Sequence, residues 1–330
     1  MLNWGVLSTA KIAREHVMPA LARASNGRLV ALASRERARA AEIAAPYGLR
    51  HVFGSYEALL DSSEVDAVYL PLPTADHAAW TLKAIAAGKH VLCEKPIAME
   101  AGEIAAIEAA ARARGVLVAE AFMVFYHPQW QAVRRLVSDG AVGRLRRVEG
   151  CFTYYNVDPA NMRNRTALGG GALRDIGVYP LVTARLATGA EPLRVRAAIE
   201  RDPAFGTDRL CVCEAEFETF SMGFTVSTQL AHRQTMLFHG EDGTIELTAP
   251  FNPGRYGEDT VVLSDRMRGT QTIHRFANAD QYRLQAEAFA DAALGGAATV
   301  FPLSASRANQ AAIDALFRAG ESGTWEPVAL

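Results

Sequence analysis

The sequence predicts an α/β protein: an N-terminal domain with a doubly wound parallel sheet, then an α+β domain on an open, mainly antiparallel sheet. In the first 120 residues, short apolar runs alternate with alanine-rich segments of helical spacing, as strands and crossover helices do in parallel sheets. After residue 190, several strand-like runs follow one another. A chain of 330 residues is also long enough for two domains. We place the first domain at 1–121 and the second at 122–330, with the last helix able to pack back on the first domain.

Five apolar runs are predicted as the strands of the first domain: Trp4–Leu7, Leu29–Ala33, Val65–Leu72, His90–Cys93 and Val116–Ala119. Segments such as RARAAEIAAPYG and HAAWTLKAIAAGK lie between them and have helical spacing, with a glycine near the end. Pro19 interrupts the first helical pattern. This is tolerable if one helix ends near Val17 and the next has Pro19 in its first turn.

The second domain is predicted to begin with helices and to continue with a meander of strands. HPQWQAVRRLVSDG has a helical pattern, LRRVEGCFTYY is a strand, and GGALRDIGVYPLVTARLATG is a helix that contains Pro180. The later strands are Leu193–Glu200, Leu210–Phe217, Met222–Leu230, Thr235–His239 and Thr244–Leu247, and helical patterns at Gln281–Leu294 and Ser304–Ala319 close the chain.

The strand predicted at Met222–Leu230 has two different faces. One face carries Met222, Phe224, Val226, Thr228 and Leu230, and we expect it to pack on helices. The opposite face is small and polar, so it can be solvated or can meet a second subunit.

Composition excludes several classes of function. The formal net charge is −2, so there is no single-sign field that would attract nucleic acid or a membrane surface. No apolar stretch approaches the roughly 18 residues of a membrane span. The four cysteines form no C-x-x-C pair and the eight histidines no H-E-x-x-H cluster, so we predict no metal. A strand begins within the first residues, leaving no room for a signal peptide, and we expect a cytoplasmic protein.

The turn after the first predicted strand reads GVLSTAKIA. A dinucleotide-binding fingerprint, G-x-G-x-x-G/A, would place glycines at the positions of Ser8 and Ala10. Serine and alanine are the smallest replacements, and a hydroxyl among the free N–H groups of a helix N-terminus can bind a phosphate oxygen. By itself, this stretch fits equally well a plain strand–helix turn with Ser8 or Thr9 as N-cap.

The end of the second predicted strand favours NADP(H). A site for NAD would carry Asp or Glu about 20 residues after the turn, on the ribose hydroxyls. LVALASRERARA instead places Ser34 there, followed by Arg35 and Arg39, which share a face if this segment is helical. Hydroxyl and guanidinium groups accept a ribose 2′-phosphate, which a carboxylate would repel. The alternative is a solvated helix start in which Glu36 is the ribose acid.

Two further stretches contain candidate catalytic residues. VLCEKP ends the fifth predicted strand, so Lys95 points to the cleft at the carboxyl ends of the strands or is a solvated edge residue. LGGGALRDIGVYP places Asp175 and Tyr179 four residues apart, on one helix face. The glycines at 169–171 would allow a ligand or cofactor to approach the backbone closely. The alternative is a flexible loop that leads into an ordinary amphipathic helix.

Together these stretches resemble the glucose–fructose oxidoreductase/inositol dehydrogenase/MocA (Gfo/Idh/MocA) family over essentially the whole chain. The resemblance rests on GVLSTAKIA, PTADHAAWTLKAIAAGKHVLCEKP, EAFMVFYHPQ and NMRNRTALGGGALRDIGVYP. Tyr179 stands where inositol dehydrogenase-like members have histidine, which is typical of the branch of sugar dehydrogenases and dimeric dihydrodiol dehydrogenase. Ser8 and Ala10 depart from the glycines, a change that this branch tolerates.

The family implies a Rossmann domain and a second domain whose sheet often forms a dimer interface. It also implies hydride transfer between nicotinamide and a secondary alcohol or hemiacetal carbon. The expected cofactor set is Ser8, Thr9, Ala10, Lys11, Ile12, Ser34, Arg35, Arg39, Pro71, His77, Glu94 and Lys95. His77 would lie by the nicotinamide or cap a helix. The expected substrate set is Phe125, Tyr154, Asn161 and Arg163.

We expect Tyr179 to be the acid–base group, assisted by Lys95, with Asp175 either holding Lys95 charged or bonding a substrate hydroxyl. The predicted enzyme is an NADP-dependent dehydrogenase or reductase acting on an aldose or a vicinal diol, and a homodimer or higher homo-oligomer through the C-terminal sheet. The alternative enzyme is a ketoreductase of a sugar derivative, similar to anhydrofructose reductase. The alternative outside the enzyme class is a non-catalytic NAD(P)-binding sensor.

Overall fold

The computed structural model describes residues 1–329, which fall into two compact units. Unit 1 consists of Met1–Met123 and Asp280–Arg307, and unit 2 of Val124–Ala279 and the chain from Ala308 onward. The first segment of unit 1 ends at Met123, two residues after the boundary predicted at 121. The segment 280–307 belongs to unit 1, whereas the division made from the sequence placed it in the second domain.

Unit 1 is built on a six-stranded sheet. Its strands are β1 (Leu2–Leu7), β2 (Gly27–Ala33), β3 (His51–Phe53), β4 (Ala67–Leu70), β5 (His90–Cys93) and β6 (Val118–Glu120). They are parallel, in the order β3-β2-β1-β4-β5-β6, so the predicted doubly wound parallel sheet is confirmed. β3 was not predicted, because three residues are too few to show an apolar run or an alternation.

Helices pack on both faces of this sheet and form two cores. The helices of the described chain are α1 (Met18–Arg23), α2 (Arg37–Ala44), α3 (Tyr56–Leu60), α4 (Thr74–Ala86), α5 (Ala101–Arg114), α6 (Pro128–Ser138), α7 (Val178–Thr188), α8 (Gln281–Ala293) and α9 (Leu303–Ser322). One core contains apolar side chains of α3, α4 and α5, and the other those of α1, α2 and α8. Phe289 of α8 lies 5.2 Å from the Trp4 ring of β1, which explains why this late segment belongs to unit 1.

Unit 2 contains a nine-stranded sheet. Its strands are β7 (Leu145–Tyr155), β8 (Arg194–Arg201), β9 (Asp208–Glu216), β10 (Ser221–Ser227), β11 (Gln229–Gly240), β12 (Gly243–Leu247), β13 (Thr260–Asp265), β14 (Gln271–Arg275) and β15 (Glu326–Pro327). The order is β14-β13-β12-β11-β7-β10-β9-β8-β15. Only the β7–β10 pair among these described neighbours is parallel, so the prediction of a mainly antiparallel sheet is confirmed. The strands β13, β14 and β15 were not predicted.

One predicted strand is shorter than expected. Met222, Phe224 and Val226 are buried, as predicted for one face of the sheet. β10 ends at Ser227 and β11 begins at Gln229, so the alternation stops there. Leu230 is therefore 44% exposed instead of packing with the others.

Within residues 1–329 no helix has both the length and the apolar character that a membrane crossing requires. The same residues include no group of His, Cys, Asp and Glu side chains that could hold a metal ion.

Candidate active site

The carboxyl ends of the strands in unit 1 hold most of the residues predicted to bind the cofactor. Ser8 follows β1, Ser34 follows β2, Pro71 follows β4, and Glu94 and Lys95 follow β5. Neighbouring strands end in register, as the pairs Leu7–Ala33 and Leu70–Cys93 show. The strand order changes direction between β1 and β4, which is where doubly wound sheets bind their ligands.

The turn after β1 forms without the glycines of the fingerprint. Ser8 adopts a φ of +120°, a conformation that favours glycine, at the position of the first fingerprint glycine. Its N–H donates to Ala33 O (3.0 Å), and its Oγ accepts from Ala10 N–H (3.1 Å). Helical geometry then begins at Lys11. The backbone of this turn therefore fits a pyrophosphate at a helix N-terminus.

The remaining residues of the turn lead into the helix. Thr9 O accepts from Arg14 Nε (3.1 Å), and the exposed ammonium of Lys11 lies 3.8 Å from Glu15. Ile12 immediately precedes a π turn over Ala13–Val17. The side chain of Lys11 is thus on the outside of the helix, at the end that faces the turn.

Two exposed arginines follow β2. Ser34 is buried, and its Oγ accepts from Glu36 N–H (3.2 Å). α2 begins at Arg37, so Arg35 lies before the helix, and the helix face that we expected it to share with Arg39 does not form. Arg35, Glu36 and Arg39 are all exposed. Two guanidinium groups and one carboxylate are therefore exposed after β2, and which of them meets the ribose stays a prediction.

The turn that presents Lys95 is anchored by Glu94. Its N–H donates to Leu70 O (3.1 Å), and its carboxylate accepts from the buried Tyr69 hydroxyl (2.5 Å). Burial and the Glu94 carboxylate raise the pKa of Tyr69. The peptide bond between Lys95 and Pro96 is cis. Lys95 is thus held at the carboxyl edge of the parallel sheet.

His77 and Glu120 hold the backbone after Lys95. The buried His77 ring lies between two carbonyls, with Nδ1 2.7 Å from Pro96 O and Nε2 2.7 Å from Leu72 O. Burial lowers the pKa of His77. Glu120 Oε1 accepts from Ile97 N–H (3.0 Å). The neutral ring has one N–H, which donates to one of these two carbonyls, and it does not cap a helix; its contact with a nicotinamide stays a prediction.

In unit 2, three predicted residues form one cluster. Asp175 Oδ2 accepts from the Tyr154 hydroxyl (2.6 Å) and from Arg163 Nε (2.8 Å). Burial and Asp175 raise the pKa of Tyr154, and Asp175 also raises the pKa of Arg163. Asn161 Oδ1 accepts from Arg163 N–H (3.1 Å) and so caps the short helical turn that follows. The fold thus brings Asp175, predicted as a catalytic residue, together with Tyr154 and Arg163, which were predicted separately to bind substrate.

Tyr179 lies near the start of α7. Its ring packs near those of Phe152 (centroids 5.6 Å apart) and Phe251 (5.5 Å), and the residue is 6% exposed. Phe125 packs edge-on against Tyr126, with ring centroids 5.0 Å apart. Lys95 belongs to unit 1 and Tyr179 to unit 2, so their pairing stays a prediction.

Other atoms of the protein pack closely against the glycines that precede Asp175. A Cβ on Gly170 would lie 2.4 Å from Arg163 O. A Cβ on Gly171, where φ is +116°, would lie 1.9 Å from Asp208 Oδ1. The chain therefore fills the space at these two glycines that we expected a ligand to use, and that expectation is corrected.

Asp208 and Glu120, which bond backbone near the predicted site residues, were not predicted from the sequence. Asp208 is buried, its Oδ2 accepts from Leu173 N–H (2.7 Å), and burial raises its pKa. It opens β9, and no local pattern connects it to a helix start 35 residues earlier. Glu120 could have been predicted from a local signal: it is an acidic residue at the carboxyl end of a strand, just as Glu94 directly follows the end of β5. The predicted strand stopped at Ala119, one residue too early.

The two units define a class of protein. The strand order β3-β2-β1-β4-β5-β6 of unit 1 is that of dinucleotide-binding domains, and here such a domain is combined with an α+β unit. The chain belongs to the Gfo/Idh/MocA family: residues 2–122 match its oxidoreductase domain with an NAD-binding Rossmann fold, and residues 130–246 match the GFO/IDH/MocA C-terminal domain. The predictions of this family, of an oxidoreductase and of a nicotinamide dinucleotide cofactor are confirmed.

Relatives with named activities cover most of the chain. The dTDP-3,4-didehydro-2,6-dideoxy-alpha-D-glucose 3-reductase of Streptomyces violaceoruber is 39% identical over 88% of this chain and 85% of its own. The D-xylose 1-dehydrogenase (NADP(+)) 2 of Haloferax volcanii is 34% identical over 98% of each chain. KijD10, a 3-ketoreductase from Actinomadura kijaniata solved with NADP and TDP-benzene, has a TM-score of 0.90 at 30% identity, covering 96% of this chain and 97% of that one. KijD10 was also solved with a tyrosine changed to phenylalanine and with a lysine changed to alanine.

Proposed function

We propose that this protein is an NADP(H)-dependent oxidoreductase of sugars. It transfers a hydride between nicotinamide and a secondary alcohol or hemiacetal carbon of an aldose, or of a vicinal diol. The observation that supports this best is the common edge of unit 1, where the Ser8 turn, Ser34 with its arginines, and Lys95 follow strands of one sheet. Two relatives, the xylose dehydrogenase and the dTDP-sugar reductase, are named as enzymes that act on sugars, which supports a sugar substrate here.

NADP is the preferred cofactor in this proposal. Arg35 and Arg39 are exposed near Ser34, and guanidinium groups bind phosphate as charge-assisted, bidentate partners. The xylose dehydrogenase is named for NADP(+), and KijD10 was solved with NADP. When bound, the cofactor accepts or donates the hydride at its nicotinamide.

Tyr179 is the proposed acid–base group and Lys95 its electrostatic partner. A tyrosine hydroxyl ordinarily ionises near pH 10, so proton transfer near neutrality needs about 4 kcal/mol of phenolate stabilisation. One ammonium at about 4 Å supplies roughly that amount at an effective dielectric near 20. Packing against Phe152 and Phe251 keeps the tyrosine ring in one orientation for this transfer.

Asp175 is proposed to orient the substrate side of the site. Its carboxylate is bonded by Tyr154 and Arg163, so we assign it to holding these two side chains. Arg163, fixed through Nε, can donate its terminal N–H groups to sugar hydroxyls. Asn161 and Phe125 complete the proposed substrate contacts.

The first experiment measures nicotinamide absorbance with NADP⁺ and with NAD⁺ over a panel of aldoses, polyols and trans-dihydrodiols. We expect turnover with NADP⁺ on a pyranose or a diol. Tyr179→Phe should bind NADPH like the wild type and lose at least about 100-fold in turnover. The control is Tyr155→Phe, at a tyrosine of the same unit that is 69% exposed, and it should not change turnover. Full activity of Tyr179→Phe would remove Tyr179 from its role, and a preference for NAD⁺ would assign the ribose to Glu36.

The second candidate function is a ketoreductase of a sugar derivative. It is favoured by the 39% identity to the dTDP-sugar 3-reductase and by the similarity to KijD10. The test is NADPH oxidation with a 3-keto dTDP-sugar, and turnover there with none in the oxidative panel would establish the reductive direction. Tight NADPH binding without turnover in either direction would favour the sensor instead.

We further propose a homodimer, or a higher homo-oligomer, that forms through the sheet of unit 2. A cavity of about 410 Å³ lies against this sheet, and Arg147, Val212 and Thr225 are among its lining residues. Val212 is 50% exposed on this face of the sheet, so a partner subunit could contact it there. The four cysteines are unpaired, which supports a reducing, cytoplasmic location.

A further inference from the structure

Glu120 is a buried carboxylate to which the proposed reaction gives no part. It ends β6 and pairs in register with Cys93, the last residue of β5. Glu94 and Lys95 follow Cys93 directly, so Glu120 lies beside the turn that presents Lys95. Only 3% of Glu120 is exposed, and glutamate is almost never buried to this extent without a paired charge or a function.

Glu120 fixes the backbone that follows Lys95. Its Oε1 accepts from Ile97 N–H (3.0 Å). One residue earlier, Pro96 O lies 2.7 Å from the His77 ring. Two side chains from different elements therefore hold consecutive residues of the turn, and Lys95 comes immediately before them.

The charges that act on Glu120 come mainly from the same turn. The Lys95 ammonium favours the ionised carboxylate, and Glu94 opposes it. The Ser306 hydroxyl of α9 also favours ionisation, yet neither its Oγ nor Glu120 Oε2 makes a hydrogen bond of regular geometry to the described residues. The neighbouring Cys93 is a fully buried thiol whose own pKa is raised, chiefly by burial. Burial outweighs the favourable contributions and raises the pKa of Glu120 to about 7.

We propose that Glu120 is a positioning residue, which holds the turn that presents Lys95 and, by exchanging a proton with solvent, sets how strongly the Lys95 charge acts on the acid–base group. The ionised carboxylate offsets part of the field of the ammonium, and the neutral acid leaves that field intact. The expected effect on the acid–base group rests on the proposed function. The hydrogen bond to Ile97 and the charge coupling to Lys95 are independent of that function.

The coupling can be measured without turnover, by carbon-13 NMR of labelled glutamate carboxyl groups. Glu120 is assigned as the resonance that Glu120→Gln removes. We expect a midpoint near 7 in the wild type. Lys95→Met should raise it by about one unit and Glu94→Gln should lower it by about one unit. A midpoint equal to that of exposed glutamates, or one that Lys95→Met leaves in place, would overturn the proposal. If Glu120→Gln does not fold, the Glu120 resonance is identified as the one whose midpoint rises in Lys95→Met. If no glutamate resonance has a midpoint near 7 that rises in this variant, the proposal is overturned.

Kinetics test the positioning role. Glu120→Gln keeps an oxygen acceptor for Ile97 N–H but cannot ionise. We expect unchanged NADPH binding and a pKa of the acid–base group, in the pH profile of kcat/KM, that is about one unit lower. Glu42→Gln, at an exposed glutamate of α2, is the matched control and should leave the profile unchanged. A Glu120→Gln profile equal to that of the wild type would overturn the role. A protein with no turnover on any substrate would refute the proposed function instead, and the NMR titration would still decide the coupling.

Discussion

Ser8 combines a strained backbone with a useful hydroxyl. Non-glycine residues in sparsely populated regions of φ and ψ cost about 1–3 kcal/mol, and the φ of Ser8 is +120°. The Oγ offsets part of this cost by accepting from Ala10 N–H. Strain of this kind persists where the surrounding structure imposes it, here between β1 and a helix start.

Ser8→Gly should raise the free energy of unfolding by about 1 kcal/mol, because glycine adopts this φ without strain. Ser8→Ala keeps the strain and loses the Oγ acceptor, so it should lower the free energy of unfolding by about 1 kcal/mol. Urea unfolding of both variants measures the two effects. A Ser8→Gly protein less stable than the wild type would mean that the hydroxyl contributes more than the strain costs.

Glu120 gives stability a pH dependence whose sign follows from its burial. Its pKa is raised from an ordinary 4.5 to about 7, so the folded protein binds the proton more tightly than the unfolded chain does. The resulting stabilisation, about 3 kcal/mol, is fully present below about pH 4.5 and is lost as the pH rises through 7. Relative to the wild type, Glu120→Gln should therefore gain up to about 3 kcal/mol between about pH 5 and pH 8. Urea unfolding at both pH values checks this, with Glu42→Gln as the control at an exposed glutamate.

Among the elements, two helices contain a π turn just before a proline. Ala13–Val17 precedes Pro19, which lies in the first turn of α1 as predicted, and Leu173–Gly177 precedes Pro180. Proline cannot donate a helical hydrogen bond, and a π turn accommodates the missing bond within a continuous helix. This is how the predicted helix over GGALRDIGVYPLVTARLATG can contain Pro180. Asp175 lies inside the second π turn, so its relation to Tyr179 differs from simple α-helical spacing.

The loop before this helix depends on Gly171 and Asp208. Gly171→Ala should lower the free energy of unfolding by about 3 kcal/mol, because it combines a φ of +116° with a Cβ 1.9 Å from Asp208 Oδ1. The control is Gly102→Ala in α5, where no atom lies within 4 Å of the added Cβ and helix propensity should raise stability by about 0.5–1 kcal/mol. Thermal or urea unfolding compares the two. A Gly171→Ala protein as stable as the wild type would show that the loop can move away from Asp208.

For the whole molecule, the prediction concerns assembly through the sheet of unit 2. Val212→Asp places a charge where Val212 is 50% exposed beside the cavity, so it should dissociate a homo-oligomer into single chains. The control is Val157→Asp, at a valine that is 43% exposed but lies outside the strands, and it should leave assembly unchanged. Light scattering coupled to size-exclusion chromatography gives the masses. A wild-type protein with the mass of one chain would contradict the proposed oligomer.

The sequence by itself determined the parallel sheet, most of the antiparallel strands, and the family. These depend on apolar periodicity, on chain order and on motifs of neighbouring residues, all of which are local. The positions of Lys95 and Ser34 after strands were predicted in the same way, because a strand end is a local signal and strand ends in a parallel sheet share one edge.

Only the tertiary structure decided which side chains meet. Asp175 bonds Tyr154 across 21 residues of sequence, Asp208 bonds Leu173 across 35, and α8 completes the core of a unit that begins with Met1. Such contacts leave no periodic trace, since each depends on how distant strands and helices pack. The same holds for the glycines at 170 and 171, whose need for space is set by backbone and side-chain atoms that the local sequence does not identify. Burial decided the rest: it makes Glu120, which looks in the sequence like any other acid, a group that titrates near neutrality.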